Sequence, residues 1–391
     1  MTIVKTGLEV LVARNFSPIR HKRVGLVTHA AAVDSQLRSA TDLFANGPIN
    51  LTTIFGPEHG LHGQAQDLIG VSVEESRSTV RVVSLYGKEA ASLKPTIEQL
   101  HELDVLVIDM QDIGTRFYTF QATMLFCLQV ALTMGLPVFI LDRPNPIGGV
   151  DVEGPSLQKG FESFVGAYNI AVRHGMTMGE LARMYCSELQ LGPGLLEVIP
   201  CEGWRRNDSI ESTGLPWVLP SPNMPTIETA LVYPGQCLLE GTNLSEGRGT
   251  TKPFEICGAP WIEADLLAKR MNAMQLPGVI FRPVWFRPTF QKHAGIDCGG
   301  VQLHVRDRTA FQPVRTSLAL LRVMRELSGS RFAWRTEVYE FVESPIAIDL
   351  LFGSDRERIA IELGHSDDPI LRAWDREEEM FMERRLRYLL Y

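Results

Sequence analysis

Three loops in the N-terminal half hold most of the side chains that could do chemistry. They read GPEHGLHG at residues 56–63, DMQDIGTRFY at 109–118 and DRPNP at 142–146. Each loop follows a short apolar run that predicts a strand, and the carboxyl ends of parallel strands meet at one edge of a sheet. Acidic, amide and guanidinium groups on such loops are typical of a binding site for a polar ligand. The candidates are Glu58, His59, His62, Asp109, Gln111, Asp112, Thr115, Arg116, Tyr118, Asp142, Arg143 and Asn145.

Each loop also has a structural interpretation. Glu58 could cap a helix, because a carboxylate is stabilised at a helix N-terminus. The two histidines of the first loop could bind a metal ion, but no third ligand follows at a recognisable spacing, so we predict no metal site. Asp109 and Asp112 could form buried ion pairs with nearby arginines, and residues 142–144 could simply be a turn.

A second dense segment lies in the C-terminal half, EGTNLSEGRGTTKPFE at residues 240–255. Glu240, Glu246 and Arg248 alternate there with hydroxyl side chains and glycines, which suits a ligand with many hydroxyls and an anionic group; the alternative is a solvated loop. Residues 286–293 read FRPTFQKH. They mix aromatic and polar groups as sugar-stacking walls do, or they form an edge strand and a turn.

Several common catalytic motifs are missing from the sequence. The first strand-to-helix turn reads GLVTHAA at residues 25–31, which lacks the glycine fingerprint of dinucleotide-binding folds. There is no phosphate-binding P-loop, no GxSxG nucleophile elbow and no HExxH zinc motif. The remaining carboxylates, amides, hydroxyls and arginines suit cleavage of a glycosidic bond, in which one carboxylic acid protonates the leaving oxygen and a second group supports the cationic transition state.

The elements that must position these loops alternate between strands and helices. Short runs rich in Val, Ile and Leu predict buried parallel strands. The runs lie at residues 24–28, 51–55, 80–85, 104–109, 137–141 and 195–200. Helical patterns occupy residues 35–45, 95–102, 118–134 and 177–189. This alternation predicts an α/β fold, a Rossmann-like doubly wound parallel sheet.

The second half has a different pattern. A segment dense in Pro, Asn and Ser at residues 216–225 marks the predicted boundary between a domain of residues 1–228 and a smaller α+β domain of residues 229–391. The smaller domain has predicted strands at residues 279–286 and 301–305 and predicted helices at residues 314–327 and 368–387.

Charge, hydropathy and cysteine content indicate which partners and which cell compartment to expect. The chain has 391 residues and a formal net charge of −8, and this acidic balance disfavours nucleic acid as a partner. No apolar stretch is long enough to cross a bilayer, so no membrane association is expected. The six cysteines form no CxxC pair, and the N-terminus lacks the apolar core of a secretory signal. We therefore expect a cytoplasmic protein with reduced thiols.

These residues belong to ordered motifs that identify a resemblance. The chain is similar to the bacterial exo-β-N-acetylmuramidases of the NamZ type over nearly its whole length. The matching motifs are FGPEHGLHG (55–63), VLVIDMQDIGTRFYTF (105–120), LDRPNPIGG (141–149), VEGP (152–155), RHGMTMGELA (173–182), LPWVLPSPNMPT (215–226), ALVYPG (230–235), LEGTNLSEGRGTTKPFE (239–255), GAPW (258–261), CGGVQLHV (298–305) and RYLLY (387–391).

The resemblance implies a Rossmann-like domain, a smaller C-terminal domain and an active site in the cleft between them. It implies release of terminal N-acetylmuramic acid from the non-reducing end of peptidoglycan fragments, with no metal or organic cofactor. Glu58 in the PEHG motif is then the expected catalytic acid, and Glu246 is the next carboxylate. The chain departs from the family pattern at His29, where relatives usually have Asn. Family members are often exported, whereas for this chain no signal peptide is expected.

The expected mechanism leaves several roles open. Asp109, Asp112 or Glu246 would stabilise positive charge or position water, unless the 2-acetamido group of the substrate is the nucleophile. Arg116, Arg143 or Arg248 would hold the lactyl carboxylate of muramic acid. The expected substrate-binding residues are His59, His62, Gln111, Thr115, Arg116, Tyr118, Asp142, Arg143, Asn145, Asn223, Glu240, Asn243 and Arg248. The rival functions are a non-catalytic binding protein for amino sugars or muropeptides and a different hydrolase, such as an esterase or amidase.

Overall fold

The computed structural model describes residues 4–66, 80–366 and 368–391. Its N-terminal part consists of strands and helices in alternation. Their bounds are α1 (Gly7–Ala13), β1 (Arg23–Thr28), α2 (Ala40–Ala45), β2 (Asn50–Gly56), β3 (Arg81–Ser84), α3 (Ile97–Leu100), β4 (Val105–Asp109), α4 (Phe120–Thr133), β5 (Val138–Leu141), β6 (Glu153–Ser156), β7 (Ala171–Arg173), α5 (Met178–Glu188), β8 (Leu196–Ile199) and α6 (Ile210–Thr213).

Among the described residues, six strands form one parallel sheet in the order β3-β2-β1-β4-β5-β8. The order reverses direction between β1 and β4, and helices cover the faces of the sheet, so the predicted doubly wound α/β fold is confirmed. Every residue of β4 and β5 is buried, because their runs of Val, Ile, Leu and Phe pack against helices on both sides. All six predicted strands are present within one or two residues of their expected bounds.

The helix predictions are mostly confirmed. Thr177 caps α5 with a complete capping box to Glu180. The predicted helix at residues 35–45 was wrong at its start, because α2 begins only at Ala40 after the Ser39 cap. Residues 34–38 instead form a turn in which the Asp34 carboxylate accepts two backbone N–H bonds.

The C-terminal part is an α+β unit. Its elements are α7 (Ile227–Gln236), β9 (Ile256–Ala259), α8 (Ala264–Ala273), β10 (Val279–Phe286), β11 (Cys298–Val305), α9 (Pro313–Ser328), α10 (Ala347–Phe352), α11 (Arg356–Glu362) and α12 (Asp368–Arg385). Within this part, β10, β11 and β9 form an antiparallel sheet in that order. Five of these elements, α7, β9, α8, α10 and α11, were not predicted. Strand β9 follows directly after the polar segment of residues 240–255.

One large apolar core runs through both parts of the chain. It joins Ile108 of the parallel sheet and Tyr185 of α5 to Val301 of β11 and Trp374 of α12. Backbone amides of β6 also donate to carboxylates of α12, as in the bond from Gly154 to Glu378. The division between residues 228 and 229 stays a prediction. Within the described residues, no helix is long and apolar enough to cross a membrane.

Candidate active site

A polar cavity lies between the two parts of the chain, beyond the carboxyl ends of β2 and β4. Loops after these two strands, the segment of residues 221–224, the 240–255 segment and a turn at residues 339–340 form its walls. The loop after β5 does not line it. The lining residues are Glu58, His59, Phe117, Tyr118, Thr119, Val165, Ser221, Asn223, Met224, Tyr233, Glu240, Arg248, Phe254, Tyr339 and Glu340.

Glu58 is the carboxylate that the N-terminal part contributes to the cavity. His59 and Gly60 follow it with left-handed backbone angles, φ 69° and φ 78°, so the chain turns sharply after β2. Glu58 is only 5% exposed, and the Thr119 hydroxyl donates to its Oε2 at 2.6 Å. Thr119 precedes α4 but makes no side-chain capping bond to that helix. Its hydroxyl orients the Glu58 carboxyl group instead.

Tyr118 and two further aromatic rings form an adjoining wall. The Tyr118 ring lies 5.9 Å from that of Tyr233, which in turn packs 4.7 Å from Phe254. Burial raises the pKa of Tyr118 well above 10, and the hydroxyl of Ser221 and the charge of Arg248 offset only part of this effect. Tyr118 therefore remains a neutral hydroxyl at physiological pH.

A charged cluster from the 240–255 segment faces this wall. The guanidinium of Arg248 donates to Glu240 Oε1 at 2.7 Å, and its Nε lies 3.4 Å from Glu246 Oε1. Glu246 is also paired with Lys292 at 2.8 Å. Burial acts to raise the pKa of Glu240, but the charge of Arg248 and the hydrogen bonds that Glu240 accepts lower it overall. The Glu240 carboxylate is thus ionised and held in place.

Asp109 and Arg143 form a closed ion pair away from the cavity. Two guanidinium nitrogens of Arg143 donate to the two Asp109 oxygens at 2.6 and 3.0 Å, and a third donates to the carbonyl of Val33. Asp109 is fully buried and Arg143 is 4% exposed. The two residues thus form the buried ion pair that was the structural interpretation of Asp109. Neither of them reaches the cavity wall.

Asp142 likewise belongs to the framework of the fold. Its carboxylate accepts bonds from the hydroxyls of Thr177 and Tyr391 and from the backbone N–H of Gly179. Burial raises the pKa of Asp142 to about 6 despite these donors. The residue joins the end of β5 to the start of α5 and to the C-terminal residue of the chain.

Arg116 is also placed inside the fold. Its guanidinium donates to four backbone carbonyls, and two of these belong to helix α10 of the C-terminal part. The side chain is fully buried. Burial lowers the pKa of Arg116 to about 10, a value at which it stays charged at physiological pH. Arg116 therefore connects the two parts of the chain and does not face the cavity.

The remaining candidates also lie outside the cavity lining. Asn145 bonds the backbone of Met176 and Ile147, and Asn243 bonds the backbone on both sides of Phe332, so both amides brace loops. Asp112 accepts a bond from the Gly114 N–H at 2.6 Å, although its charge still acts on Tyr118. Besides Asp109, Arg116, Asp142 and Arg143, the predicted residues outside the lining are His62, Gln111, Asp112, Thr115, Asn145, Asn243 and Glu246.

Several cavity residues were missed by the sequence analysis. Thr119 and Tyr233 lie inside quoted motifs, so a hydroxyl directly after Tyr118 and an aromatic ring in ALVYPG could have been noticed. Tyr339 and Glu340 lie in a stretch with no distinctive motif, and only the fold brings them to the cavity. Within residues 4–66, 80–366 and 368–391, no three His, Cys, Asp or Glu side chains are grouped as metal ligands would be.

Comparison with known proteins places this architecture in a family. Models of the N-terminal and C-terminal domains of the exo-beta-N-acetylmuramidase NamZ match residues 24–228 and 231–391. This chain belongs to the NamZ family. The peptidoglycan beta-N-acetylmuramidase NamZ of Bacillus subtilis (strain 168) is 44% identical over 391 residues, which cover 99% of this chain and 91% of that relative.

Solved structures share the NamZ architecture. A crystal structure of a DUF1343 family protein from Bacteroides fragilis NCTC 9343 has a TM-score of 0.89 at 34% identity, with all of both chains covered. A second DUF1343 family protein from the same organism has a TM-score of 0.76 at 29% identity, over 100% of this chain and 99% of its own. The arrangement of the parallel sheet and the C-terminal part is therefore common to these proteins.

Proposed function

We propose that this protein is an exo-acting β-N-acetylmuramidase that releases terminal N-acetylmuramic acid from the non-reducing end of peptidoglycan fragments. Full-length similarity to a peptidoglycan beta-N-acetylmuramidase supports the reaction class. The observation that carries the proposal is the buried Glu58 carboxyl group, held by Thr119 in a cavity that Arg248 and tyrosine hydroxyls also line.

Glu58 is the general acid in this proposal. A glycosidase acid must point at the glycosidic oxygen and hold its proton in a site shielded from water. One oxygen of Glu58 is fixed by the Thr119 hydroxyl at 2.6 Å, which fixes the direction of the other. Low exposure shields the group from solvent.

Arg248 recognises the lactyl carboxylate that distinguishes muramic acid from glucosamine. Of the three arginines considered for this role, Arg116 and Arg143 are engaged elsewhere in the fold, and Arg248 lines the cavity. A guanidinium has several donors in one plane, so Arg248 can bind Glu240 and a ligand carboxylate together. In this proposal Tyr118, Ser221 and Asn223, which line the cavity, bond the sugar hydroxyls.

We also propose that the enzyme works in the cytoplasm on small amino-sugar fragments. All six cysteines are unpaired and five of them are buried, which suits a reducing compartment. Fractionation of the producing cells, with detection of the native protein, tests this location.

The decisive experiment is Glu58→Gln, assayed on a disaccharide of N-acetylmuramic acid and N-acetylglucosamine. We expect kcat to fall by roughly a thousandfold or more, because the amide cannot protonate a poor leaving group. Glu202→Gln is a matched control, since Glu202 is about half exposed and pairs with Lys5 on the surface. Undiminished turnover by folded Glu58→Gln protein would contradict the proposal. Failure of the wild type to cleave the disaccharide, despite binding it, would favour a binding protein.

A further inference from the structure

We infer that Glu340 is the second catalytic carboxylate, the base that takes a proton from the attacking water; this assignment rests on the proposed function. Glu340 lines the same cavity as Glu58 but comes from the other part of the chain, between α9 and α10. It is 7% exposed. Glycosidic hydrolysis commonly pairs an acid with a second carboxylate.

The backbone at Glu340 is held in an unfavourable conformation. Glu340 and Phe341 have φ of 47° and 67°, and they are the central residues of a tight turn closed by two backbone bonds between Tyr339 and Val342, at 3.0 and 2.9 Å. Two successive left-handed residues in such a turn favour Asn-Gly, because a larger side chain clashes with its own backbone. Strain of this kind concentrates at functional sites.

Contacts of Tyr86 and Tyr339 hold the turn in this conformation. The Tyr86 hydroxyl donates to Glu340 Oε2 at 3.0 Å, and the Tyr86 ring packs 5.7 Å from that of Phe341. Tyr339 donates its hydroxyl to Glu240 at 2.7 Å. Because Tyr86 follows β3, its bond to Glu340 links the two parts of the chain at the cavity.

Two further carboxylates near the cavity are held in ion pairs with basic side chains. Both oxygens of Glu240 accept hydrogen bonds, one from Arg248 and one from Tyr339. Glu246 is not among the described lining residues and pairs with Lys292 at 2.8 Å. Besides these, Glu58 and Glu340 are the acidic side chains in the described lining of the cavity.

The proposed step is a single displacement. Glu58 transfers its proton to the glycosidic oxygen as the bond between that oxygen and the anomeric carbon breaks. The water oxygen forms the new bond to the anomeric carbon, and its proton passes to the Glu340 carboxylate. The products are N-acetylmuramic acid and the shortened fragment, and proton exchange with solvent restores both carboxyl groups. Attack by water from the face opposite the leaving group inverts the anomeric configuration.

The test compares two substrates that differ in the leaving group. On the disaccharide, Glu58→Gln is expected to lose roughly a thousandfold or more in kcat, and Glu340→Gln at least roughly a hundredfold. On para-nitrophenyl N-acetylmuramide, whose leaving group needs little protonation, Glu58→Gln should recover much of its kcat. Glu340→Gln should remain as impaired as on the disaccharide, and nuclear magnetic resonance should show the inverted anomer as the first product of the wild type.

A folding control separates catalysis from structural damage. Glu340→Asn suits the left-handed backbone better than Glu does, so this variant should unfold at the same temperature as the wild type or a higher one while losing the same activity. Glu337→Gln, on the exposed side of the same segment, should behave like the wild type.

Three results would overturn the assignment. They are kcat values of Glu340→Gln and Glu340→Asn within about threefold of the wild type, a loss confined to the disaccharide, and retention of configuration by the wild type. A wild type that cleaves neither substrate would instead overturn the proposed function itself, and the role of Glu340 with it.

Discussion

The cavity and the carboxyl ends of β4 and β5 use the same residue types for different purposes. At the strand ends, Asp109 is saturated by Arg143, and Asp142 accepts bonds from four protein donors. In the cavity, the described contact of the Glu58 carboxylate is one hydroxyl, that of Thr119. Carboxylates saturated by the protein stabilise the fold, whereas a carboxylate that the protein only orients is available to a ligand.

Burial alone does not distinguish the two regions. Asp109 and Asp142 are fully buried, and Glu58 is nearly so. The difference lies in which groups surround each carboxylate, because a buried charge needs compensation from some partner. At the strand ends that partner belongs to the protein, and in the cavity we propose that the substrate supplies part of it.

The largest expected effect is on stability at the strand ends. Asp109→Asn removes the charge that compensates the buried guanidinium of Arg143, so the free energy of unfolding in urea should fall by about 3–5 kcal/mol. Asp104→Asn is the control, because the Asp104–Arg23 pair is exposed and screened by solvent, so its loss should change the free energy of unfolding far less. An Asp109→Asn protein of normal stability but without activity would remove the distinction between the regions.

The next effect concerns specificity in the cavity. Arg248→Ala should lower kcat/KM for para-nitrophenyl N-acetylmuramide by about a hundredfold and change that for the matching N-acetylglucosaminide much less, because only the muramide has a carboxylate. Arg248→Lys keeps the charge beside Glu240 and should lose about tenfold. Arg287→Ala, in an exposed pair with Asp297, is the control. An unchanged preference would place the carboxylate contact elsewhere.

The buried side chain of His29 should make the free energy of unfolding depend on pH. His29 accepts the Gln111 N–H at 2.8 Å, and burial together with the charge of Arg143 lowers its pKa to about 3. The folded protein therefore keeps His29 neutral while the unfolded chain protonates it, so the stabilisation is complete above about pH 6.5 and is lost as the pH falls towards 3. Between pH 7 and pH 5 the wild type should lose about 2 kcal/mol more unfolding free energy than His29→Asn.

The control for this effect is His101→Asn, because His101 is exposed and its replacement should leave the pH dependence close to that of the wild type. Urea unfolding at both pH values measures the difference. Identical pH dependence of the wild type and His29→Asn would show that His29 gains a proton in the folded protein as easily as in the unfolded chain.

The smallest expected effect sharpens the role of Thr119. Thr119→Val preserves the shape of the side chain but removes the hydroxyl that holds Glu58, so kcat on the disaccharide should fall about tenfold, equivalent to about 1.4 kcal/mol. Thr119→Ser keeps the donor and should retain most of the activity. Equal kcat values for the two variants would show that Glu58 is oriented by other contacts.

Much of the fold and part of the site followed from local sequence patterns. The strands of the parallel sheet were predictable because they are buried on both faces and therefore uniformly apolar. Glu58, His59, Tyr118, Asn223, Glu240 and Arg248 were predicted and do line the cavity. Arg116, Arg143 and Asp142 were considered alongside them because a loop sequence shows residue types but not the partners that saturate them.

Position along the chain determined which side chains reach the carboxyl edge of the sheet, since strand direction and loop placement follow from hydrophobic patterning. Only the tertiary structure decided which of those side chains face solvent-accessible space and which are enclosed by donors from distant segments. Glu340 is the clearest case: it is brought to the cavity by a strained turn and by a bond from Tyr86, 254 residues away in the chain. Contacts at such separations depend on packing of the whole chain and leave no local periodicity in the sequence.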